Sequence, residues 1–321
     1  MSKETNLRVF TESVPSMSSR LDISVVWDAS RAAEAHTLIA QGFAEADRLI
    51  GIISAWQEGT ELYEVNRQAG IRPVRVGPEL FGLLARSLKI SELTDGLFDV
   101  TFASIDKVWY FDRPMRQLPT PEQIRESVRH IDYRHVVLDE KEGTVYIRNP
   151  KTKIELGAIG KGYIATRIKE RLRALGVRGG LVNAGGDLCT WGGNERGEQW
   201  RVGIADPGKK EKYIAWLPLK DQAVATSGSY ERFALIGGQK YSHIIHPKTG
   251  HPVKGLKSVT VLSADAELCD AVATSVFLLG REEGLAFVNR FDDIRCFIID
   301  ENDTYSYSDN LKQIPYGTKD T

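Results

Sequence analysis

The sequence predicts an α+β fold, with largely antiparallel sheets flanked by helices. Three observations predict it: helical periodicities fill the first half, strand-like segments crowd the stretch after Val136, and tight glycine turns join neighbouring strands. Strands joined by tight turns pair antiparallel, whereas parallel pairs need long crossovers. In order along the chain, Leu21-Asp22-Ile23-Ser24-Val25 alternates as a strand. Asp28 or Ser30 then caps a long amphipathic helix that reaches about Ile53, with Trp56 at its exit. A short helix near Glu61 to Gln68 and a longer one from Pro78 to Leu93 follow, and Thr120-Pro121 opens another with Gln123 at capping-box spacing. A hairpin from Val136 to Leu156 leads through a glycine-rich turn into a helix from Tyr163 to Leu175. Ile164, Ile168, Leu172 and Leu175 make the apolar stripe of that helix, and Gly176 stops it. Strands are expected at 181–184, 188–191, 200–205, 223–226, 230–236, 241–245 and 257–263, punctuated by Gly185-Gly186, Gly237-Gly238 and Pro247-Lys248-Thr249-Gly250. Two helices and a strand from Arg295 to Ile299 complete the order.

With 321 residues, 42% hydrophobic and 26% charged, the chain can bury a substantial core without disulfides or a structural metal. Residues 1–14 read as a polar arm, 15–312 as one domain with room for two lobes and a cleft, and 313–321 as a polar tail. Lysine plus arginine (42) nearly balances aspartate plus glutamate (43), so no global field gathers nucleic acid or an anionic membrane. The three cysteines, Cys189, Cys269 and Cys296, sit among apolar or small residues outside any CxxC pair and read as buried thiols. No apolar run suits a signal peptide or a membrane span, so a cytoplasmic location is expected.

The most informative segment is Ala266 to Leu279, which is apolar or small on nearly every helical face and is therefore expected to be buried. Asp270 and Thr274 lie within it at i and i+4, so their oxygens project from one face. A buried carboxylate must be neutralised by a cation, a basic side chain or a proton. A carboxylate beside a hydroxyl offers hard oxygen ligands that suit magnesium. The alternative is an aspartate paired with arginine or capping a loop, and a threonine bonded back to the Asp270 carbonyl.

Gly157-Ala158-Ile159-Gly160-Lys161-Gly162 lies before a predicted helix, where free amides and a positive helix terminus favour an anion such as pyrophosphate. Its spacing is neither GxGxxG nor GxxxxGK[ST], so a plain tight turn is the competing reading. Asn183 to Asp187 and Thr226 to Ser229 are further small, polar loops that serve either a ligand or their own turns. His243 sits in an apparent strand with His246 and His251 close behind; a general base, a structural histidine and a zinc site are all open.

Taken together and in order, IELGAIGKGY, LVNAGGDL, AVATSGSY, YSHIIHPKTGHPV and LCDAVATSVFLLG resemble the ApbE family, the FAD:protein FMN transferases, while TELYEVN and DGLFDVTFASI match it more loosely. The resemblance runs from about Met17 to Phe291. It implies a central FAD cleft and a magnesium ion held by Asp270, Thr274 and the carbonyl of Ala158, with the carbonyl of Ala273 as a further oxygen. It places Met17, Trp56, Leu97, Phe98, Asp99, Glu155, Lys161 and Ile244 against FAD, and His243 as the catalytic base. It also implies transfer of FMN from FAD to a threonine or serine in a Ser/Thr-Gly-Ala-Ser/Thr-like segment of an acceptor flavoprotein, releasing AMP. Two rivals are an FAD pyrophosphatase, in which water attacks, and a noncatalytic FAD-binding protein. The chain departs from the family pattern at Met17-Ser18-Ser19 (for Met-Gly-Thr), at Glu155 (for aspartate), at His246 (for aspartate) and at Ser229 (often acidic). Most relatives are exported lipoproteins, and this chain resembles a cytoplasmic member.

Overall fold

The computed structural model describes residues 6–115, 117–209, 212–229 and 233–311. Its frame is a sheet of eight strands. In chain order the elements are β1 (Leu7–Ser16), β2 (Ser19–Asp28), α1 (Ala32–Ile53), α2 (Glu61–Arg67), β3 (Val74–Arg75), α3 (Pro78–Leu93), α4 (Pro121–Ser127), β4 (Val136–Asp139) and β5 (Thr144–Ile147). There follow α5 (Gly160–Ala174), β6 (Gly180–Ala184), β7 (Asp187–Trp191), β8 (Trp200–Ala205), β9 (Tyr213–Leu219), β10 (Ala223–Gly228), β11 (Phe233–Ile236), β12 (Gln239–Ser242), β13 (Leu256–Ser263), α6 (Ala266–Leu279), α7 (Arg281–Val288), β14 (Arg295–Asp300) and β15 (Tyr305–Tyr307). The large sheet runs β1-β2-β6-β7-β10-β13-β14-β15, and its paired strands are antiparallel throughout. Helices and antiparallel sheets together make the α+β class that the turn spacing predicts.

Side chains that alternate along a strand point to opposite faces, and here the two faces meet different covers. Ala223, Ala225, Val259, Val261, Cys296 and Ile298 face the main core under α1, α5 and α6. Their neighbours Val224, Leu262, Phe297 and Ile299 face a second core, closed by Val202, Ile204, Leu217 and Leu219 of the β8–β9 hairpin. A third cluster, Trp109, Ile124, Ala234, Ile236 and Ile245, packs the β11–β12 hairpin onto α4 and its preceding loop. The three cysteines are buried free thiols. No helix among the described residues is long and apolar enough to cross a membrane.

Several sequence expectations shift. Residues 7–14 of the expected polar arm belong to the edge strand β1, which is registered on β2 with Phe10 opposite Val25. Phe10 is its one buried side chain, so the strand is held by backbone pairing that leaves little apolar periodicity to read. β9 was absent from the expected strands. Ala215, Leu217 and Leu219 alternate inward, but Pro218 argues against a central strand and is tolerated because this sheet has only two strands. The hairpin expected over Val136 to Leu156 closes at Ile147. Of the strand expected at 230–236, residues 230–232 lie outside the described residues, as do 1–5 of the arm and 313–321 of the tail.

Helix α5 begins at Gly160, three residues before its expected start, so Gly160 and Gly162 belong to its first turn. The reason is tertiary: α5 and α6 cross there, and a Cβ on Gly162 would overlap the Ala266 carbonyl oxygen. Gly162→Ala is expected to cost about 1–3 kcal/mol by overpacking, read as a lower midpoint in denaturant unfolding. An unchanged midpoint would refute this account of the close approach. Capping is mixed: Asp28 accepts from Ser30 N at 2.9 Å and so caps a 3₁₀ turn, Ala29–Arg31, that leads into α1, whose own start at Arg31 has no side-chain cap, whereas Thr120 and Gln123 form the expected reciprocal capping box.

Candidate active site

A cavity of about 550 Å³ opens between α6, the first turn of α5, the β1–β2 turn and the segment after β12. Met17, Trp56, Leu97, Phe98, Asp99, Glu155, Ala158, Lys161, His243, Ile244, Asp270 and Thr274 all line it. The structure thus brings these twelve residues, all singled out from the sequence, to one place, while Ala273, whose carbonyl the resemblance adds, is not among the lining residues. Thr226, Ser227, Gly228 and Pro247 line it as well.

The cavity floor is the buried helix α6. Asp265 caps it by accepting from Glu267 N at 2.9 Å, and Asp270 follows at only 4% exposure. The Asp270 carboxylate accepts from Gly162 N at 3.2 Å, a contact made possible by the glycine crossing of α5. Burial, and then the nearby charge of Asp187, push its pKa up to about 7, while Lys161 and the amides of Gly162 and Lys161 pull it back. The arginine alternative goes elsewhere: Arg86 forks onto Glu267, one turn earlier, at 2.6 and 2.9 Å. Thr274 Oγ1 lies 3.2 Å from Ser227 Oγ on β10.

Lys161 is not a freely solvated lysine. Its ammonium meets the Asp187 carboxylate, which is 1% exposed at the start of β7. Asp270 lies near this pair and has no ion pair of its own among the described residues. A dry, uncompensated carboxylate costs several kcal/mol, roughly, so the residues present fit a cation. The expected ligand set is one carboxylate, a hydroxyl and a carbonyl rather than a cluster of acids, and among the described residues no three His, Cys, Asp or Glu converge as a metal group. Hard oxygens with open positions are what magnesium accepts when phosphate completes its shell.

The other walls divide into apolar and polar parts. Trp56 is 69% exposed at the mouth, which rules out a core role and leaves its ring face available for stacking. Met17 and Ser18 sit at φ 50° and 57° in the β1–β2 turn, a left-handed conformation that glycine adopts without strain. Glu155 is pushed above the ordinary carboxylate range by burial. Asp99 also lines the cavity, but its oxygens already accept from Thr101 N (2.7 Å), Thr101 Oγ1 (2.6 Å) and Tyr133 N (2.9 Å), so it also holds two loops together. Burial raises its pKa and those bonds oppose the shift.

His243 corrects one expectation. β12 ends at Ser242, so His243 lies on the bend beyond the strand, half-buried and edge-on to Phe111 at 6.5 Å between ring centres. Leaving the ladder frees the residue from strand alternation and lets it line the cavity. His246 and His251 are tied into the Pro247–Gly250 turn, where His246 N donates to the His251 carbonyl at 2.9 Å.

The family model described as ApbE family matches residues 17–298. The chain belongs to the ApbE family. The ApbE relatives include the FAD:protein FMN transferase of Treponema pallidum, 32% identical over 289 residues that cover 85% of this chain and 80% of that one. A Klebsiella pneumoniae protein of the same name is 30% identical, covering 83% of each chain. Among solved structures, the ApbE protein of Thermotoga maritima superposes with a TM-score of 0.85 at 28% identity, covering 95% of this chain and 98% of that one. The flavin transferase ApbE of Vibrio cholerae, at 24% identity and the same TM-score, shares the ApbE fold.

Sequence reasoning missed two side chains of this ApbE site. Both lie in segments expected to serve either a ligand or their own turns, with no single residue marked; Ser227 belongs to strand β10 rather than to a loop, and Asp187 opens β7. Each acts through a partner on another element, Thr274 or Lys161, so no local spacing announces it.

Proposed function

We propose that the protein is an FAD:protein FMN transferase that moves FMN from FAD to a threonine or serine hydroxyl of an acceptor flavoprotein and releases AMP. The observation that carries this reading is the buried Asp270, with Thr274 one turn further on and His243 across from them, on the walls of one cavity. Trp56, Met17, Leu97, Phe98 and Ile244 provide apolar surface for flavin and adenine rings, and Glu155 and Asp99 provide polar edges. Lys161 and the first-turn amides of α5 lie where a pyrophosphate would gain charge-assisted hydrogen bonds.

Asp270, Thr274 and the Ala158 carbonyl would hold the magnesium ion. When bound, it supplies Lewis-acid stabilisation of charge on the departing phosphate. The protein's own contribution is to position and deprotonate. The acceptor hydroxyl oxygen forms a bond to the FMN-side phosphorus as the bridging P–O bond to AMP breaks, and the hydroxyl proton passes to His243. The acceptor segment is read as Ser/Thr-Gly-Ala-Ser/Thr-like, with small neighbours that let the hydroxyl reach into the cleft.

Incubation with FAD, magnesium and a protein bearing such a segment is expected to raise the acceptor's mass by one FMN, with AMP released. Free FMN and AMP with an unmodified acceptor would replace this reading with FAD hydrolysis. Intact FAD would replace it with storage.

A further inference from the structure

Two ring pairs tie the segment before α4 to the end of β12. Trp109 stacks on Tyr241 at 5.5 Å between ring centres, and two residues further along both segments Phe111 stands edge-on to His243 at 6.5 Å. The first pair sets the place of the second. Trp109 Nε1 donates to the Gly250 carbonyl at 2.9 Å, and its buried ring belongs to the third core cluster with Ile124, Ala234, Ile236 and Ile245. Beyond it, Tyr110 N donates to Met115 Sδ at 3.1 Å, and the Arg113 guanidinium lies over the Tyr110 ring at 3.7 Å. Phe111 therefore sits among anchored neighbours, packed against the same cluster, although residues 105–115 form neither helix nor strand.

His243 is where such support has most effect. The β12 ladder stops at Ser242, so strand pairing does not hold the histidine that follows it. A reacting side chain has to be kept within about 0.5 Å of its productive position, by packing that locks its rotamer. An aromatic ring set edge-on supplies such a preference, because edge and face carry opposite partial charge. Phe111 does not line the cavity, whereas His243 does, so Phe111 reaches the reacting atoms only through the imidazole. We propose that Phe111 is a positioning residue for the transfer step, holding the His243 ring in the orientation that receives the acceptor proton. The inference rests on the base role given to His243 above and adds the residue that aims it.

The test is a double-mutant cycle in single-turnover transfer, with FAD, magnesium and a carrier protein bearing a Ser-Gly-Ala-Thr segment all saturating. Phe111→Leu is expected to slow transfer by about three- to tenfold, the rate equivalent of one edge-to-face ring pair. The half-saturating concentrations of FAD and of the carrier should stay at their wild-type values. Phe111→Tyr keeps the ring and is expected to transfer at the wild-type rate. Phe111→Met fills the ring's space with a flexible chain and should match Phe111→Leu, so the result does not hang on how one variant folds. In the His243→Ala background, Phe111→Leu is expected to change the residual rate by less than about 1.5-fold, because no imidazole is left to orient. The full loss persisting in that background, or a loss carried by the affinity for FAD or carrier, would overturn the inference and make Phe111 a group of the fold or of carrier docking. A wild-type rate in Phe111→Leu would overturn it and leave His243 standing as the base. Full activity in His243→Ala would overturn the base role and the inference together.

Discussion

Asp270→Ala is expected to abolish FMN transfer and leave a folded protein. Losing several kcal/mol of charge stabilisation at the departing phosphate corresponds to a rate loss on the order of a thousandfold or more. The fold survives because the carboxylate contributes little to it: the deletion orphans the Gly162 amide, at about 1–3 kcal/mol, and removes a charge that burial penalises. Asp270→Asn sharpens the test. The native carboxyl is raised from 3.8 to about 7, so the folded state holds a proton that the unfolded state gives up more readily. Metal-free wild type therefore loses stability as pH rises from about 4 to about 7, and the asparagine variant does not. Thermal unfolding in EDTA at pH 5 and pH 8 should show wild type falling relative to Asn, in the same samples whose transfer activity is lost. A fully active Asp270→Ala would remove the metal from the proposed chemistry.

His243→Ala is expected to separate binding from chemistry. The side chain lines the cavity from the bend after β12 and packs edge-on against Phe111, while the pyrophosphate donors and Asp270 belong to α5 and α6. FAD affinity, followed by flavin fluorescence, should stay close to wild type because those elements are untouched. The single-turnover transfer rate should fall by about 10²–10⁴-fold, the usual worth of a positioned base. The loss should appear in kcat with little change in the KM for FAD. An unchanged transfer rate would dismiss the base role, and a matching loss of FAD affinity would make His243 a binding residue.

Much of this architecture is legible in the chain because it is encoded over a few residues. The Thr120/Gln123 capping box, the nearly all-apolar α6 and the short runs of apolar and small residues in β10 and β13 are local patterns, and each element formed close to where its pattern predicts. The Asp270–Thr274 pair stands out for the same reason: a carboxylate and a hydroxyl one turn apart in the middle of a helix that is apolar or small on nearly every face. Elements whose stability comes from a partner were harder to read. β1 gains its pairing from β2, and β9 carries a proline that only a two-stranded sheet tolerates. Gly162 of α5 looked like part of a turn because its purpose is a close crossing with a helix about a hundred residues away in sequence.

The amino-acid order by itself determined which segments are helices and strands, and it marked the acid that burial would strand, because amphipathic period and helical spacing need no knowledge of distant neighbours. Only the tertiary structure decided which charges meet. That Arg86 goes to Glu267 and Lys161 to Asp187, with no ion pair at Asp270 among the described residues, depends on how α3, α5, α6 and β7 converge. Electrostatic pairing falls off over a few ångströms in space and carries no fixed separation along the chain.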